Sequence, residues 1–428
     1  MADQCLASSR RVAVCEIDIE HPVQEAHHKY FDGYSRVFAV LRFRGVVVGT
    51  TWLPTIKGRI TLSQLKDCAR GASWNIWSHM NTTFAGEWKS TSTLTASVVV
   101  CTRDRTDDLA KCLPKLLPYA AQGHEIVVID SCPSNEDTQQ LVAQFPHVRY
   151  VREPRPGAGI ARNCGLLSAT KEVIAFTDDD AQVDAGWLGA LLRNFDDPNV
   201  ALVTGITMPT ELETDAQLWF EEMHGFARGF VRKQFEAESI NPLSASLVGA
   251  SVNMAVRRSS LDDVGWFDEA LGPGTPCGSG EDHDFFYRVL ARGYRVIYDP
   301  AALVWHRHRR DWRALQRAIH GYGLGVFAWW TRALVVEKEM TLLKLAPRWF
   351  FDWHVRQLGR ALLKRPNAEP LDLAWAEFLG ALKGPIAYLR SIRKSQSRKR
   401  APLQIPRETL LPVSTAGHKH IGVGTENT

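Results

Sequence analysis

Val173-Ile174-Ala175-Phe176-Thr177-Asp178-Asp179-Asp180 is an apolar run that stops on three carboxylates. Apolar residues without polar alternation are what a strand needs when both of its faces are covered. Three similar runs precede it: Ser97 to Cys101, Ile126 to Ile129 and Val148 to Val151. Between them Leu109, Cys112, Leu113, Leu116 and Leu117 fall on one helical stripe, Thr138 to Ala143 reads as a second helix, and Ile160, Cys164 and Leu167 mark a third. Strands alternating with helices predict an α/β fold, a mostly parallel sheet flanked by helices with right-handed crossovers. Ligands bind such sheets beyond the carboxyl ends of the strands, so the residues just after each run are where chemistry is expected.

Those positions are polar. The first run leads into Thr102-Arg103-Asp104-Arg105, the second ends on Asp130, the third passes through Gly157-Ala158-Gly159 to Arg162-Asn163, and the fourth ends on Asp178-Asp179-Asp180. Three carboxylates at a buried strand end require raised pKa values or a cation. Carboxylate oxygens suit Mg²⁺ or Mn²⁺, ions that commonly bridge to phosphates. The ordinary alternative is a solvated acidic loop capping the helix at Trp187. A dinucleotide-binding reading of Gly157 and Gly159 fails, because Arg162 holds the third glycine position and two prolines separate strand from turn. The turn instead delivers Arg162 to a helix start where a diphosphate could dock, unless Arg162 is only salt-bridged. Further on, Gly278-Ser279-Gly280 precedes Glu281-Asp282-His283-Asp284 at the start of a helix with Phe285, Phe286, Val289 and Leu290 on its apolar face. The helix macrodipole alone favours acids there by roughly 0.3–1 kcal/mol. Finally, Ala301 to Trp305 leads to His306 and His308, which share a face if the strand continues, so that one could ligate a metal.

The rest of the chain bounds these readings. It has 428 residues and a formal net charge of +4, which gives no global argument for nucleic acid. No window predicts a membrane-spanning helix, and Met1 to Arg11 lacks the apolar core of a secretory signal, so a cytoplasmic protein is expected. The cysteines are scattered without C-x-x-C spacing and are expected to be reduced. Residues 1–94 read as a small N-terminal accessory α+β domain, with strands at Val37 to Phe43 and Val46 to Thr51, a helical stretch from Leu62 to Met80, and a linker from Asn81 to Thr95. Residues 95–310 hold the catalytic sheet, 311–395 a helical Trp- and basic-rich extension, and 396–428 a tail read as disordered. Aromatic and basic residues on helices of the 311–400 region suit a lipid headgroup layer, giving peripheral contact with the inner membrane face. The ordinary alternative packs the tryptophans on the catalytic domain.

In their order along the chain, V-V-V-C-T-R-D-R (98–105), V-V-I-D-S-C-P-S (127–134), G-I-A-R-N-C-G (159–165), F-T-D-D-D (176–180), G-E-D-H-D-F (280–285) and D-P-A-A-L-V-W-H-R-H (299–308) resemble the inverting family 2 glycosyltransferases of GT-A fold. The resemblance covers roughly residues 96 to 330. It implies a nucleotide-sugar donor, a UDP-sugar being the commonest, a divalent metal (Mn²⁺ or Mg²⁺), and a saccharide, lipid-linked saccharide or small-molecule acceptor. By position it implies that Thr102, Arg103 and Asp130 line the nucleoside pocket and that Arg162 approaches the base or the diphosphate. It implies the metal-binding D-x-D pair at Asp178 and Asp180, leaves open whether Asp179 shares the metal, and places His306 in the metal shell. The base it implies is Asp282, with Glu281 the second candidate. A nucleotidyltransferase, or a non-catalytic nucleotide-sugar-binding module, remains the alternative.

Overall fold

The computed structural model describes residues 11–21, 30–84 and 94–398. Residues 81–84 of the expected linker continue the helix Ser73–Phe84, and residues 396–398 of the expected tail end the helix Leu371–Arg398; most of the linker, the rest of the tail, residues 1–10 of the signal-free start and the end of the basic cluster at 393–400 lie outside the described residues.

The expected runs form strands that extend each run by a residue or two: β4 (Ala96–Thr102), β5 (Glu125–Ser131), β6 (Val148–Glu153) and β7 (Val173–Asp178). They follow three earlier strands, β1 (Val12–Asp18), β2 (Arg36–Phe43) and β3 (Val46–Pro54). Strands β4 to β7 are mutually parallel in the order β7-β4-β5-β6. The chain therefore winds outward from β4 to β6 and returns to β7 on the other side of β4. That reversal opens a crevice at the carboxyl ends of β4 and β7, where Cys101 pairs with Asp178 and Thr102 pairs with Asp130 of β5.

The side chains explain why these strands are buried on both faces. Val99, Val127, Ile129, Ile174 and Phe176 point into one apolar layer with helices Ala158–Ser168 and Glu281–Ala291. Val98, Val100, Ile126, Val128 and Val173 point into the other, with helices Thr106–Ala121 and Trp187–Leu192. Each such side chain, fully removed from water, contributes roughly 1.5–3 kcal/mol. The helix Ala158–Ser168 lies so close to the sheet that a Cβ on Gly165 would stand 2.6 Å from Val99 Cγ1.

Beyond β7 the sheet becomes mixed, which the runs did not reveal. β8 (Ala181–Val183), β9 (Val200–Pro209), β10 (Lys233–Phe235), β11 (Asn253–Arg257) and β12 (Arg295–His306) complete nine strands in the order β10-β12-β9-β11-β7-β4-β5-β6, with β8 on β12. β11 runs antiparallel to both β7 and β9. β8 follows the three carboxylates at once and pairs Ala181 with His306, which carries the end of β12 to the end of β7.

The N-terminal segment forms a three-stranded sheet, β1-β2-β3, with helices Leu62–Gly71 and Ser73–Phe84. The hairpin β2-β3 turns at Arg44 and Gly45, both at positive φ, as a two-residue turn requires. Val12, Phe38, Val40 and Val47 bury against Ile206, Met208 and Tyr298, so this sheet is seated on β9 and β12. At the other end of the chain, helix Trp312–Val335 packs along helix Leu371–Arg398. Among the described residues Cys68, Cys101, Cys112, Cys132, Cys164 and Cys277 are free thiols.

Candidate active site

The turn after β7 gathers charge because its carboxylates have nowhere else to go. Asp179 is buried: Thr102 Oγ1 donates to its Oδ2 at 2.7 Å and Arg105 Nη1 to its Oδ1 at 2.8 Å. Arg105 Nη2 donates to Asp180 Oδ2 at 2.7 Å, so one guanidinium spans two neighbouring carboxylates. His306 Nε2 lies 3.4 Å from Asp180 Oδ1, and Arg309 Nη1 lies 3.7 Å from Oδ2. Burial would push the Asp180 carboxyl up, but His306 and Arg105 outweigh it and hold the group far below its ordinary value. Asp178 is the most open of the three, its side chain 36% exposed, and its acid is pushed up by burial against the opposing pull of Arg162.

Arg162 is the second organising cation. It rises from the first turns of helix Ala158–Ser168 and is buried, with Nη1 donating to Glu281 Oε1 at 2.6 Å and Nη2 to Ser251 Oγ at 2.9 Å. Its Nη2 is 4.0 Å from Asp178 Oδ1. It therefore ties the end of β7 to the N-terminus of helix Glu281–Ala291. Gly280 caps that helix at φ 96°, and Ser279 Oγ donates to the Gly321 carbonyl at 2.7 Å, which fixes the loop on the following helix.

The two acids opening this helix face different surroundings. Glu281 is buried on Arg162, and burial pushes its carboxyl up. Asp282 is half-buried and accepts hydrogen bonds from the His283 backbone N–H at 2.8 Å and the Ser251 N–H at 3.4 Å. Burial opposes ionisation, yet His283, Arg162 and these N–H groups hold Asp282 below its ordinary value, so it is an ionised acceptor at neutral pH. Asp284 is committed to the core, paired with Arg288 at 2.9 Å and Arg332 at 3.1 Å.

The remaining sequence-designated residues divide. Asp130 is buried at the end of β5; Tyr150 Oη donates to its Oδ2 at 2.9 Å, and Oδ1 has no hydrogen-bond partner. Burial pushes this acid up. Arg103 is half-exposed and, among the described residues, pairs only with Asp104, at 3.8 Å. A cleft of about 500 Å³ opens beside Arg105, walled by Asp104, Asp108, Lys111, Asn135 and Arg307.

Sequence reasoning missed Arg105, although it stands one turn position beyond Arg103, and missed Ser251. It also missed Glu221, whose Oε2 lies 2.9 Å from His308 Nε2, while His308 Nδ1 lies 3.3 Å from His306 Nδ1. β12 ends at His306, yet the two histidines still meet. The Glu221 acid is pushed up to about 8 by burial and His308 is pushed down to about 3, first by burial and then by His306. Both directions make this a neutral pair in which the Glu221 O–H donates to His308, and not an ion pair.

The donor set fits a divalent cation in kind: two carboxylates of one turn and an imidazole beside one of them. Among the described residues, however, no three His, Cys, Asp or Glu side chains are already gathered around one point. Arg105 and His306 balance the charge of Asp180 instead.

Residues 97–265 match the family model described as glycosyl transferase family 2. The match ends before Gly280–Phe285 and before His306. A pre-mycofactocin glycosyltransferase of Mycobacterium tuberculosis is 32% identical over 232 residues, 53% of this chain and 46% of that protein. The glycosyltransferase AglE of Haloferax volcanii is 24% identical over 318 residues, 70% of this chain and 98% of that protein. This chain thus spans about half the length of the first relative. Among solved structures, the mannosyltransferase PcManGT from Pyrobaculum calidifontis, in complex with GDP-Man and Mn²⁺, aligns with a TM-score of 0.43 at 15% identity, covering 77% of this chain and 85% of that one.

Proposed function

We propose that this chain, whose residues 97–265 match the family 2 glycosyl transferase model, moves a sugar from a nucleotide-sugar donor to an acceptor hydroxyl by inverting direct displacement. The observation that carries this is the meeting of three acid-bearing segments at one end of the sheet. The Asp178–Asp180 turn, Asp130 at the end of β5 and the Glu281–Asp282 helix start converge there, the first and last bridged by Arg162. A UDP-sugar is the first choice of donor. A saccharide, a lipid-linked saccharide or a small molecule is the acceptor.

The roles follow from surroundings. Asp130 offers its unpartnered Oδ1 to the N–H edge of the base. Thr102 and Arg105 brace the acidic turn, and Arg103, half-exposed beside it, is free to swing to the donor. Asp180, Asp178 and His306 would hold Mn²⁺ or Mg²⁺, which when bound supplies positive charge to the departing diphosphate. Asp282, ionised and half-open, takes the proton of the acceptor hydroxyl as that oxygen attacks the anomeric carbon. Glu281 is held on Arg162 and positions the helix start on which Asp282 stands. No covalent enzyme intermediate is needed, so no nucleophile is assigned.

The Arg105 clamp on Asp179 and Asp180 favours one second reading, a module that binds a sugar nucleotide without turning it over. A nucleotidyltransferase is the third. A panel of nucleotide sugars screened by thermal shift with and without Mn²⁺, followed by product analysis, separates them. Metal-dependent stabilisation with release of nucleoside diphosphate is the expected result. Stabilisation without turnover on any acceptor gives the binding module, and release of pyrophosphate gives the nucleotidyltransferase.

A further inference from the structure

Apart from the half-buried Trp312, the tryptophans of the C-terminal region split into two populations. Trp329 and Trp330 are 2% and 7% exposed and pack in the core, as the ordinary reading of the sequence expects. Trp349, Trp353 and Trp375 are exposed. They belong to two helical segments with one face turned outward.

The long helix Leu371–Arg398 buries one side against helix Trp312–Val335 and exposes Leu371, Trp375, Leu382, Ile386 and Leu389. At 100° per residue these five positions fall within about 60° of arc, a single stripe roughly 27 Å long from the rise per residue. The segment from Leu342 through Leu362 exposes Leu343, Phe351, Val355 and Leu362 in the same manner. The two stripes are joined through aromatic contacts: Trp375 stacks on Phe378 at 5.6 Å, Phe378 meets Phe350 at 5.3 Å, and Phe350 meets Phe351, which is 63% exposed. An apolar surface of this continuity marks an interaction site.

Charge indicates what covers it. From Leu342 to Leu362 there are four Lys or Arg against one acid, Asp352, and from Leu371 to Lys394 there are four against two, Asp372 and Glu377. Lys344, Arg348, Lys383 and Arg390 are exposed at the borders of the stripes. Apolar faces carrying tryptophan and rimmed by cations match a layer of anionic lipid headgroups over acyl chains. Among the described residues no helix is long and apolar enough to cross a membrane, so the contact lies in the plane of the surface.

We propose that the outward faces of residues 342–362 and 371–394 dock this protein on an anionic bilayer, with the aromatic junction at Phe351 and Trp375 entering the headgroup layer. The inference stands apart from the transferase reading, since none of these residues belongs to the acid cluster. The seating of the helix pair against the Ser279–Gly321 contact places the Asp282 loop on the same helical unit that meets the membrane.

The test is flotation of the full chain with vesicles of phosphatidylcholine alone and with phosphatidylglycerol added. Flotation with the anionic vesicles, weakening as salt is raised, is expected. Phe351→Glu/Ile386→Glu should abolish it, and Lys344→Gln and Lys383→Gln should each weaken partitioning roughly fivefold, while thermal stability and any nucleotide-sugar shift stay as in the wild type. Failure of the wild type to float overturns the proposal. If light scattering then shows a dimer that Phe351→Glu/Ile386→Glu splits, the surface is an interface between two copies. Equal flotation of that variant and the wild type also overturns it.

Discussion

Replacing Arg162 with Met tests whether this side chain is a buried bridge. Both Arg162 and Glu281 are under a tenth exposed, and their contact is 2.6 Å. With about 4 Å between charge centres and an effective dielectric of 20, the attraction is about 4 kcal/mol. Removing one partner of such a pair strands the other and costs roughly 3–5 kcal/mol. Methionine fills the space, so packing loss is small and the cost reports the orphaned carboxylate. Burial already pushes Glu281 up, with Arg162 the largest opposing influence. Without Arg162 the acid rises further, so the folded state gains stability from protonating it. Stability should then be recovered as pH falls and lost as pH rises. Urea unfolding of Arg162→Met should show the full loss at pH 8 and a clearly smaller one at pH 5. Arg162→Met/Glu281→Met should regain most of it, with a coupling of about 2–3 kcal/mol. A loss under about 1 kcal/mol, or one that is pH-independent and additive with Glu281→Met, would refute the bridge and return Arg162 to a donor-facing role.

Asp282→Asn should abolish transfer while nucleotide-sugar binding by calorimetry persists; if Glu281→Gln does this and Asp282→Asn stays active, the base is Glu281. Gly280→Ala should destabilise the fold by more than about 2 kcal/mol in urea, because φ is 96° and the new Cβ would stand 2.7 Å from the Gly325 carbonyl oxygen; a neutral effect would show that the loop is not fixed on that helix. Glu221 is held up at about 8, so the folded state carries an extra proton between the unfolded value near 4.5 and 8, and this contribution to stability is lost as pH rises. His308, held down at about 3, acts oppositely between 3 and 6.5, so the two cancel in the overlap and the fall shows between pH 6.5 and 8. Its slope is roughly 1.4 kcal/mol per pH unit. Glu221→Gln keeps a donor to His308 and should flatten that slope in pH-dependent unfolding; an unchanged slope would sink the neutral-pair assignment.

The half of the sheet built from local runs was legible because strands buried on both faces must be continuously apolar, and Val98 to Val100 or Ile126 to Ile129 can serve no other purpose. The polar residues after those runs were legible for the same reason, since only the ends of such strands meet water. β1 escaped notice because Val12 to Asp18 mixes Cys15, Glu16 and Asp18 into a short strand paired along its length with β2, with a single bridge from Val12 to Leu212 on its other edge. In the mixed half, β8 and β10 escaped because they are three residues each and pair with segments of β12 over a hundred positions and sixty-odd positions away, respectively. Within the site, Asp178, Asp180, Asp282, Arg162 and His306 were all readable as candidates, whereas Arg105, which spans Asp179 and Asp180, was not. Whether Arg103 or Arg105 turns toward Asp179 depends on how the chain leaves β4, where Asp104 takes φ 52° and redirects it. The Glu221–His308 contact joins positions on a helix and beyond a strand that no local pattern relates.

In the proposed reaction the acidic turn after β7 would hold a cation against a sugar nucleotide's diphosphate. Titration of Mn²⁺ followed by electron paramagnetic resonance, with and without a UDP-sugar, tests it directly. Free-Mn²⁺ signal should be lost on binding, the nucleotide sugar should tighten this binding, and Asp180→Asn should remove both effects. Tight nucleotide-sugar binding that neither chelation of the metal nor Asp180→Asn alters would contradict it.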